Sequence, residues 1–384
     1  MKKKKLIRVT TVPLSLEKLL EGQLRFMSDH FDVTAISSEK ERLERYGMTE
    51  GVRTYYVPMT RKITPFKDLW AVWSLFRFLR SERPEIVHTH TPKAGMVGML
   101  AARLAGIPNR LHTVAGLPLM ETKGFKRRIL IWVEILTYRW ATRVYPNSMG
   151  LYDFIVQSRL SSKTKLKFLG HGSSNGIDTS FFSKSHFSSE SLLVKRAELG
   201  IPESDLVFLF VGRMVKDKGI DELIDAFKEL QLEQPHISLL LVGPLEDELD
   251  PLSPHTGHII ETHPKIFMIG YQEDVRIYFA ISDILSFPSY REGFPNVVMQ
   301  AGAMGLPSVV TNINGCNEII SSGVNGLLIP PKDPIALKKA LKQLILDAEL
   351  RSKLSANARI MITERYERRQ FWDLLLLEYQ NLKP

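Results

Sequence analysis

The chain has 384 residues, of which 44% are hydrophobic and 24% charged, a composition typical of a soluble globular protein and a length that favours two domains. Its single cysteine, Cys316, excludes an internal disulfide framework and a cysteine zinc site, and it fits a reducing, cytoplasmic compartment. The net charge of +9 favours an anionic partner such as a phosphorylated substrate or an acidic membrane surface, while no recognisable nucleic-acid-binding module accompanies it.

The first half of the chain alternates between apolar runs of strand length and segments with helical spacing. The predicted strands are 6–12, 31–37, 52–57, 86–89 and 110–114, and the predicted helices are 16–31, 68–80 and 94–105. Alternation of this kind is typical of βαβ units, in which helices cover both faces of a parallel sheet.

A serine-rich segment, residues 180–191, interrupts this pattern and is predicted to be a linker or loop. A second series follows, with predicted strands 206–212, 237–243, 266–270, 284–288, 307–311 and 326–329, and helices 220–230, 275–282 and beyond 334. We therefore expect an α/β protein with an N-terminal lobe of residues 1–180, completed by a C-terminal helix over 366–384, and a second lobe of residues 181–365. Ligands should bind in a cleft at the carboxyl ends of the two parallel sheets.

A basic loop with a glycine near each end follows the strand predicted at 206–212. Gly212-Arg213 opens the loop, and Lys218-Gly219 closes it directly before a helix. Two cations on one turn can neutralise a diphosphate without a metal ion, and the glycines let the backbone approach the ligand closely. The loop is therefore predicted to bind a diphosphate. The alternative interpretation is a solvated basic turn.

A second polar loop follows the strand predicted at 284–288. It contains the turn Glu292-Gly293-Phe294-Pro295, and a helix is expected from Asn296. A carboxylate accepts hydrogen bonds from sugar hydroxyls, the first amides of a helix favour anionic oxygens, and the amide of Gln300 can bond a diol. The pattern predicts a sugar-binding loop, and the alternative is a surface turn whose glutamate complements the helix dipole.

The order and spacing of these motifs resemble the retaining glycosyltransferases of family 4. The matching segments are Gly212-Arg213, Lys218-Gly219, Pro288-Ser289, Glu292 to Asn296, Ala303 to Pro307 and Val324 to Leu328. The resemblance covers nearly the whole chain and is sharper in the second half. It is strongest to bacterial enzymes of capsule, exopolysaccharide or lipid-linked oligosaccharide synthesis, including N-acetylgalactosaminyltransferases of protein-glycosylation pathways.

The resemblance implies the GT-B fold, in which two Rossmann-like lobes face each other across a cleft. It also implies retention at the anomeric carbon and metal-independent transfer, with Arg213 and Lys218 holding the diphosphate and Glu292 contacting the donor sugar. These three are the predicted catalytic residues. The implied reaction is transfer of a hexose or N-acetylhexosamine from a UDP-sugar to a saccharide or undecaprenyl-diphosphate-linked acceptor, without a cofactor. A sugar-nucleotide epimerase of the same fold and a non-catalytic carbohydrate- or lipid-binding protein are the alternatives.

Each lobe is expected to contribute one half of the active site. The predicted donor site comprises Gly212, Arg213, Lys218, Gly270, Glu292, Gly293, Phe294, Pro295, Asn296, Val297 and Gln300. The predicted acceptor site comprises Ser15, His90, Lys93, His112, Ala115, Gly116 and Asn175. Alternate histidines at His88 and His90 have no carboxylate or cysteine cluster beside them in the sequence, so a metal site is not expected there.

The sequence departs from the family pattern at two positions. Gln300 stands where the family usually has a second glutamate, and Ala115 stands where it often has a histidine. His112, three residues before Ala115, is expected on the other face of its strand. We expect these departures to affect which sugar is transferred and how.

Two segments of the first half, residues 70–78 and 125–140, combine aromatic and aliphatic residues with flanking lysines and arginines. Such a segment is either a helix that lies on an anionic membrane surface or an ordinary core helix with a basic solvent edge. No apolar stretch is long enough to span a membrane, and the basic N-terminus lacks the features of a secretory signal. We therefore expect a cytoplasmic protein that can contact the inner face of the membrane.

Overall fold

The computed structural model describes residues 3–62, 64–120, 122–246 and 250–383. The chain divides into two compact units. Unit 1 comprises Met1–Gly176 and Arg368–Pro384, and unit 2 comprises Ile177–Glu367. The C-terminal segment thus returns to the unit in which the chain began.

Unit 1 is built on a six-stranded sheet with the order β3-β2-β1-β4-β5-β6, and every adjacent pair is parallel. Its strands are β1 (Lys5–Val9), β2 (Asp32–Ser37), β3 (Arg53–Tyr56), β4 (Ile86–His90), β5 (Asn109–Val114) and β6 (Arg143–Pro146). Its helices are α1 (Pro13–Leu19), α2 (Gln23–Ser28), α3 (Lys40–Glu50), α4 (Pro65–Glu82), α5 (Pro92–Leu104), α6 (Gly124–Trp140), α7 (Met149–Gln157) and, at the end of the chain, α16 (Arg368–Gln380).

Two apolar layers cover this sheet. Helices α4, α5 and α6 bury one face, where Leu75 and Val97 belong to the same core as Val87 of β4. The other face packs against α2 and α16, and Phe371 and Tyr379 of α16 are buried there. The last helix is therefore part of the unit 1 core.

Unit 2 repeats the architecture with the order β12-β11-β10-β7-β8-β9, again parallel throughout. Its strands are β7 (Leu206–Val211), β8 (Ile237–Val242), β9 (Ile266–Gly270), β10 (Ile284–Phe287), β11 (Ser308–Thr311) and β12 (Gly326–Ile329). Its helices are α8 (Ser189–Glu198), α9 (Ile220–Glu233), α10 (Pro254–Thr262), α11 (Arg276–Ala280), α12 (Asn296–Ala303), α13 (Cys316–Ile319), α14 (Pro334–Leu346) and α15 (Ala348–Tyr366). The central strands are almost continuously apolar because helices bury both of their faces.

In each unit the strand order reverses beside the first strand. The neighbours at this point are β1 and β4 in unit 1, and β7 and β10 in unit 2. The loops that leave such a pair run to opposite sides of the sheet, which opens a crevice at the strands' carboxyl ends. Both predicted donor loops, after β7 and after β10, lie at this point of unit 2.

The structure corrects two local predictions. The helix expected over 16–31 is two helices, because Gly22 adopts a left-handed φ of 71° between α1 and α2 and packs under the ring of Trp372. The serine-rich segment 180–191 is only partly a loop, because α8 begins at Ser189 with Ser188 accepting a hydrogen bond from the amide of Ser191. Within the described residues, no helix combines the length and apolarity needed to cross a bilayer.

Candidate active site

The loops after β7 and β10 meet through a partly buried ion pair. Lys218 Nζ lies 2.5 Å from Oε1 of Glu292, and both side chains are about 15% exposed. Ser289 Oγ donates to the same carboxylate oxygen at 2.8 Å, and the ammonium stands 5.7 Å from the ring centre of Phe287. The structure therefore brings together two of the three predicted catalytic residues from opposite sides of the switch point.

A close backbone approach holds these two loops together. Gly219 has a φ of 71°, and a Cβ at this position would lie 2.2 Å from the carbonyl oxygen of Pro288. The amide of Tyr290 donates to the carbonyl of Asp217 at 2.8 Å, and the Asp217 carboxylate pairs with Arg291 at 2.6 Å. Gly219 is required here because any side chain would push the β10 loop away.

Arg213 points to a different partner. Its guanidinium donates to Oε2 of Glu246 at 2.7 Å, and the side chain is 45% exposed. Glu246 lies in the loop that follows β8, close to the bridge between Met214 and Leu245. Both predicted diphosphate cations are thus paired with carboxylates, Lys218 with Glu292 and Arg213 with Glu246.

Hydrogen bonds from the loop after the neighbouring strand, β11, hold the turn after Glu292 in place. Asn314, in the loop after β11, donates to the carbonyl oxygens of Glu292 at 3.1 Å and Gly293 at 2.7 Å. A Cβ on Gly315 would lie 2.4 Å from the Gly293 carbonyl, so only glycine permits this contact. Phe294 packs edge-on against Tyr366, with ring centres 5.4 Å apart.

The helix that follows this turn begins at Asn296, as the sequence predicts. Pro295 occupies the N-cap position, and its side chain caps no backbone amide. Asn296, Val297 and Gln300 are all partly exposed on the first two turns. The start of α12 therefore presents its positive dipole end close to the Lys218–Glu292 pair.

The remaining predicted donor residues are glycines at strand ends. Gly270 ends β9 with a φ of 75°, and its carbonyl accepts from the amide of Gly243. Gly243 in turn lies so close to Gly212 that a Cβ on it would stand 1.8 Å from the Gly212 oxygen. These contacts join the carboxyl ends of β7, β8 and β9.

Cys316 is a buried residue near this site to which the sequence analysis gave no role in the site. It opens α13 beneath the Lys218–Glu292 pair, and burial together with the Glu292 charge raises the pKa of its thiol well above the usual value. Ser289, Asn314 and Glu246 were also missed. Asn314-Gly315 directly after an apolar strand is a turn signal that sequence reading can find, whereas the Arg213–Glu246 pair leaves no sequence pattern.

In unit 1, two threonines meet at the corresponding switch point. The hydroxyls of Thr11, after β1, and Thr91, after β4, are 2.7 Å apart, and the amide of Thr11 donates to Thr91. Thr91 has a φ of 75°, which is a genuine outlier for a β-branched residue. The strain is held in place by these hydrogen bonds and by α5, which begins at the next residue.

A polar network with a fully buried arginine lies behind these threonines. Arg8 of β1 donates to the Tyr379 hydroxyl at 2.6 Å and to Gln23 at 2.7 Å, and it contacts Nε2 of His90 at 2.7 Å. Because arginine cannot accept, His90 Nε2 is the acceptor and the ring is neutral. His88 bridges Tyr379 and Thr113, at 2.6 and 2.8 Å.

Burial is the main cause of the pKa shifts of the histidines in and near this network. It lowers the pKa values of His88 and His90 well below 6.5, and the positive charge of Arg8 acts in the same direction. Burial also lowers the pKa of His112 to about 4. All three histidines are therefore neutral near pH 7.

The predicted acceptor residues do not form one group. His112 faces the α5 layer, bonded to Thr89 at 2.8 Å and packed against Gly95, while His90 faces α16 on the other side of the sheet. Lys93 forms a buried ion pair with Asp68 of α4 at 2.5 Å. Asn175 accepts from Gln23 and Trp372, which ties the end of unit 1 to α16.

Three further predicted residues are partly exposed. They are Ser15 in α1, and Ala115 and Gly116 after β5. The carbonyl of Ala115 accepts from the side chain of Asn147 at 3.5 Å. Among the residues that the structure describes, no three histidine, cysteine, aspartate or glutamate side chains are grouped so that they could hold a metal ion.

Comparisons with known proteins identify the family. The sequence profile described as Glycosyl transferases group 1 matches residues 194–361, and the Glycosyl transferase 4-like domain matches residues 22–170. The chain is 32% identical over 376 residues to the capsular polysaccharide biosynthesis glycosyltransferase CapM of Staphylococcus aureus, with 98% of this chain and 96% of that protein covered. It is 28% identical over 336 residues to the UDP-Gal:alpha-D-GlcNAc-diphosphoundecaprenol alpha-1,3-galactosyltransferase of Escherichia coli, with 86% and 84% covered.

The fold agrees with solved structures. The crystal structure of Anabaena HepE in complex with UDP and glucose superposes with a TM-score of 0.84 at 18% identity, covering 99% of this chain and 100% of that one. Two parallel α/β units with this strand order define the GT-B fold. The chain belongs to glycosyltransferase family 4, and it is a glycosyltransferase.

Proposed function

We propose that this enzyme transfers a hexose or N-acetylhexosamine, with retention, from a UDP-sugar to a saccharide or an undecaprenyl-diphosphate-linked acceptor in surface polysaccharide or glycan synthesis. The Lys218–Glu292 pair carries the proposal. It sets a cation suited to a diphosphate beside a carboxylate suited to sugar hydroxyls, on adjacent strand ends of one sheet.

The names of the relatives support the choice of substrates. The Escherichia coli relative is named for a UDP-galactose donor and a diphosphoundecaprenol acceptor, and the Staphylococcus aureus relative for capsular polysaccharide biosynthesis. HepE was crystallised with UDP and glucose. Together these names favour a UDP-sugar donor and a saccharide or lipid-linked acceptor for this enzyme.

In the proposed reaction, the donor diphosphate takes the place of carboxylates at the two cations. Lys218 and Arg213 neutralise the charge that develops on the leaving group, and the first amides of α12 add to this stabilisation. Glu292, released from Lys218, accepts hydrogen bonds from donor-sugar hydroxyls. The acceptor attacks from the face that the diphosphate leaves, and a diphosphate oxygen takes the acceptor proton, so the reaction needs no metal ion.

Incubation with a panel of UDP-sugars and a short saccharide or lipid-diphosphate acceptor tests the proposal. Because UDP-hexoses carry the sugar in α linkage, a new α-glycosidic bond, formed also in the presence of EDTA, is expected. A β-linked product would overturn retention, and loss of transfer in EDTA would overturn metal independence. Conversion of the donor without any acceptor would favour an epimerase, and donor binding without transfer would favour a non-catalytic protein.

We also propose that the enzyme works in the cytoplasm and touches the inner face of the membrane, where a lipid-linked acceptor would be found. The buried free thiol of Cys316 suits a reducing compartment. Exposed aromatic side chains on helices of unit 1 support this proposal of peripheral contact.

A further inference from the structure

Helix α4 has two apolar stripes instead of one. The stripe that faces the sheet comprises Ala71, Val72, Leu75 and Leu79, all buried. The second stripe faces solvent and comprises Phe66, Leu69, Trp70 and Trp73, each between 46% and 88% exposed. A surface helix of a soluble protein ordinarily presents a polar outer face, so the packing of unit 1 does not account for the second stripe.

Helix α6 also has large apolar side chains on its exposed side. Its exposed side includes Phe125, Ile129 and Trp132, between 40% and 77% exposed, while its buried residues are Glu134, Thr137 and Tyr138. The spacing of the three exposed residues, four and then three positions, places them on one side of the helix. The helix therefore turns large apolar side chains to solvent in addition to Leu130, Ile131 and Ile135, which pack against the core.

The two exposed stripes lie on the same side of unit 1. Helices α4, α5 and α6 form one layer against the sheet, with α5 packed against both of the others. Each follows a strand of the parallel sheet, so their N-terminal ends all stand at its carboxyl edge. Phe66 and Phe125, in the first turns of α4 and α6, mark this edge.

Cations surround the exposed aromatic residues. They are Arg61, Lys62 and Lys67 at the start of α4, and Lys123, Lys126, Arg127 and Arg128 at the start of α6. No acidic residue occurs in 61–67 or in 122–132. Farther along α4, the Arg77 guanidinium stacks over Trp73 at 4.9 Å. Exposed tryptophan and phenylalanine bordered by lysine and arginine is the composition of a surface that enters the headgroup region of an anionic bilayer.

A groove of about 750 Å³ connects this surface to the strand ends. Tyr56, Met59, Phe66 and Trp70 give it apolar walls, Arg61 and Lys67 add positive charge, and Glu39 adds one negative charge. At its inner side it reaches Val12 and Ser38, which follow β1 and β2. Two cations against one carboxylate leave the lining with a net positive charge, so an amphiphile with an anionic head matches both its apolar walls and its charge.

We propose that the N-terminal halves of α4 and α6 form a docking face for the surface of an anionic lipid bilayer. The face is defined by Phe66, Leu69, Trp70, Trp73, Phe125, Ile129 and Trp132 with the seven cations around them. A second copy of the chain is a poorer occupant, because self-association through this face would bring like charges together. Docking would hold the carboxyl edge of the unit 1 sheet at the membrane, so that a lipid-linked acceptor reaches the strand ends without leaving the bilayer.

The use of the face for an acceptor rests on the proposed function, whereas docking itself does not, so the two are tested separately. Sedimentation with vesicles of phosphatidylcholine containing phosphatidylglycerol measures docking without donor or acceptor. We expect binding with a blue shift of tryptophan fluorescence, and weak binding to phosphatidylcholine alone. Replacement of Phe125 and Trp132 by Ser, or of Trp70 and Trp73 by Ser, should lower the vesicle partition coefficient at least about tenfold.

Three further measurements keep this test decisive. Replacement of Lys126 and Arg127 by Gln should weaken binding to the anionic vesicles about tenfold and remove most of its salt dependence. The matched control replaces Leu232 and Ile335 of unit 2, each 80% exposed, by Ser and should leave vesicle binding unchanged. All variants should keep the thermal unfolding of the wild type, because the substituted side chains are exposed.

Specific results would overturn the proposal. One is wild-type protein that does not sediment with anionic vesicles, and another is binding that the aromatic variants retain in full. A third is light scattering that shows a dimer which those variants dissociate, because the face would then be an interface between copies. If the enzyme fails to bind vesicles but transfers sugar to a water-soluble acceptor, the docking proposal is wrong and the proposed reaction still stands.

Discussion

Lys218 and Glu292 lie 74 residues apart in the chain, and their side chains meet at 2.5 Å where the loops after β7 and β10 converge. The pair is largely shielded from solvent, so each charge depends on the other when no ligand is bound. A donor diphosphate offers Lys218 a second anion and frees Glu292 for sugar hydroxyls. The pair thus holds both side chains in position before the donor arrives.

Replacing Lys218 by Ala should lower kcat/KM for transfer by about 100-fold or more, because the leaving diphosphate loses its buried cation. Steady-state assays of UDP release with donor and acceptor measure the effect. Lys216→Ala is the matched control, since Lys216 lies in the same short 3-10 turn but is exposed. Equal activities of the two variants would show that Lys218 does not bind the diphosphate.

Neutralising Glu246 should tighten nucleotide binding. In Glu246→Gln, Arg213 loses its pair with the Glu246 carboxylate, so UDP no longer competes with this carboxylate for the cation. Because Arg213 is 45% exposed, the gain should be modest, about two- to fivefold in Kd. Isothermal titration with UDP at low and high salt measures it, and the gain should shrink at high salt. The exposed Glu261 of α10, replaced by Gln, is the control. Unchanged or weaker UDP binding by Glu246→Gln would show that Arg213 does not reach the diphosphate.

Gly219→Ala should destabilise unit 2 and weaken donor binding together. The new Cβ would lie 2.2 Å from the Pro288 carbonyl and would also strain a φ of 71°, which we expect to cost about 3 kcal/mol. Gly305→Ala separates the two causes, because Gly305 has a φ of 75° with no atom within 4 Å of its Cβ position, and it should cost only about 1 kcal/mol. Urea unfolding followed by circular dichroism, with UDP titration of each variant, makes the comparison. Equal costs would mean that the β10 loop can move aside.

The fold and the loops of unit 2 were predictable because local patterns encode them. Apolar runs such as Leu206–Val211 mark strands buried on both faces, and glycines with charged residues directly after them mark strand-end loops. The family resemblance predicted the class of enzyme, and the comparisons with known proteins confirmed it. The start of α12 at Asn296 was predicted from the turn over residues 292–295 that precedes it.

Features that depend on distant parts of the chain were not predictable. The break between α1 and α2 depends on Trp372 packing over Gly22, and the Arg213–Glu246 pair joins loops after two different strands. In the structure, His88 and His90 lie on one face of the sheet and His112 on the other, whereas the sequence related His112 only to Ala115, three residues after it. That the face with His88 packs against the C-terminal helix is seen only from the contact of His88 with Tyr379 of α16.

The buried histidines of unit 1 should make that unit lose stability in mild acid. Burial lowers the pKa of His112 to about 4 and holds those of His88 and His90 well below 6.5, so the unfolded chain binds protons below pH 6.5 that the folded unit does not. Stability therefore rises with pH across this window, and the share of His112 falls by about 1.4 kcal/mol per pH unit as the pH drops from 6.5 towards 4. His88 and His90 act in the same direction. All five tryptophans belong to unit 1, so urea unfolding followed by tryptophan fluorescence reports on that unit. Replacing His112 by Asn should make the dependence of the unfolding free energy on pH between 6 and 5 shallower by about 1.4 kcal/mol per unit, whereas replacing the exposed His255 of α10 by Gln should leave it unchanged. An unaltered slope in the His112 variant would mean that this imidazole takes up its proton without unfolding, and that water reaches the space between β5 and α5.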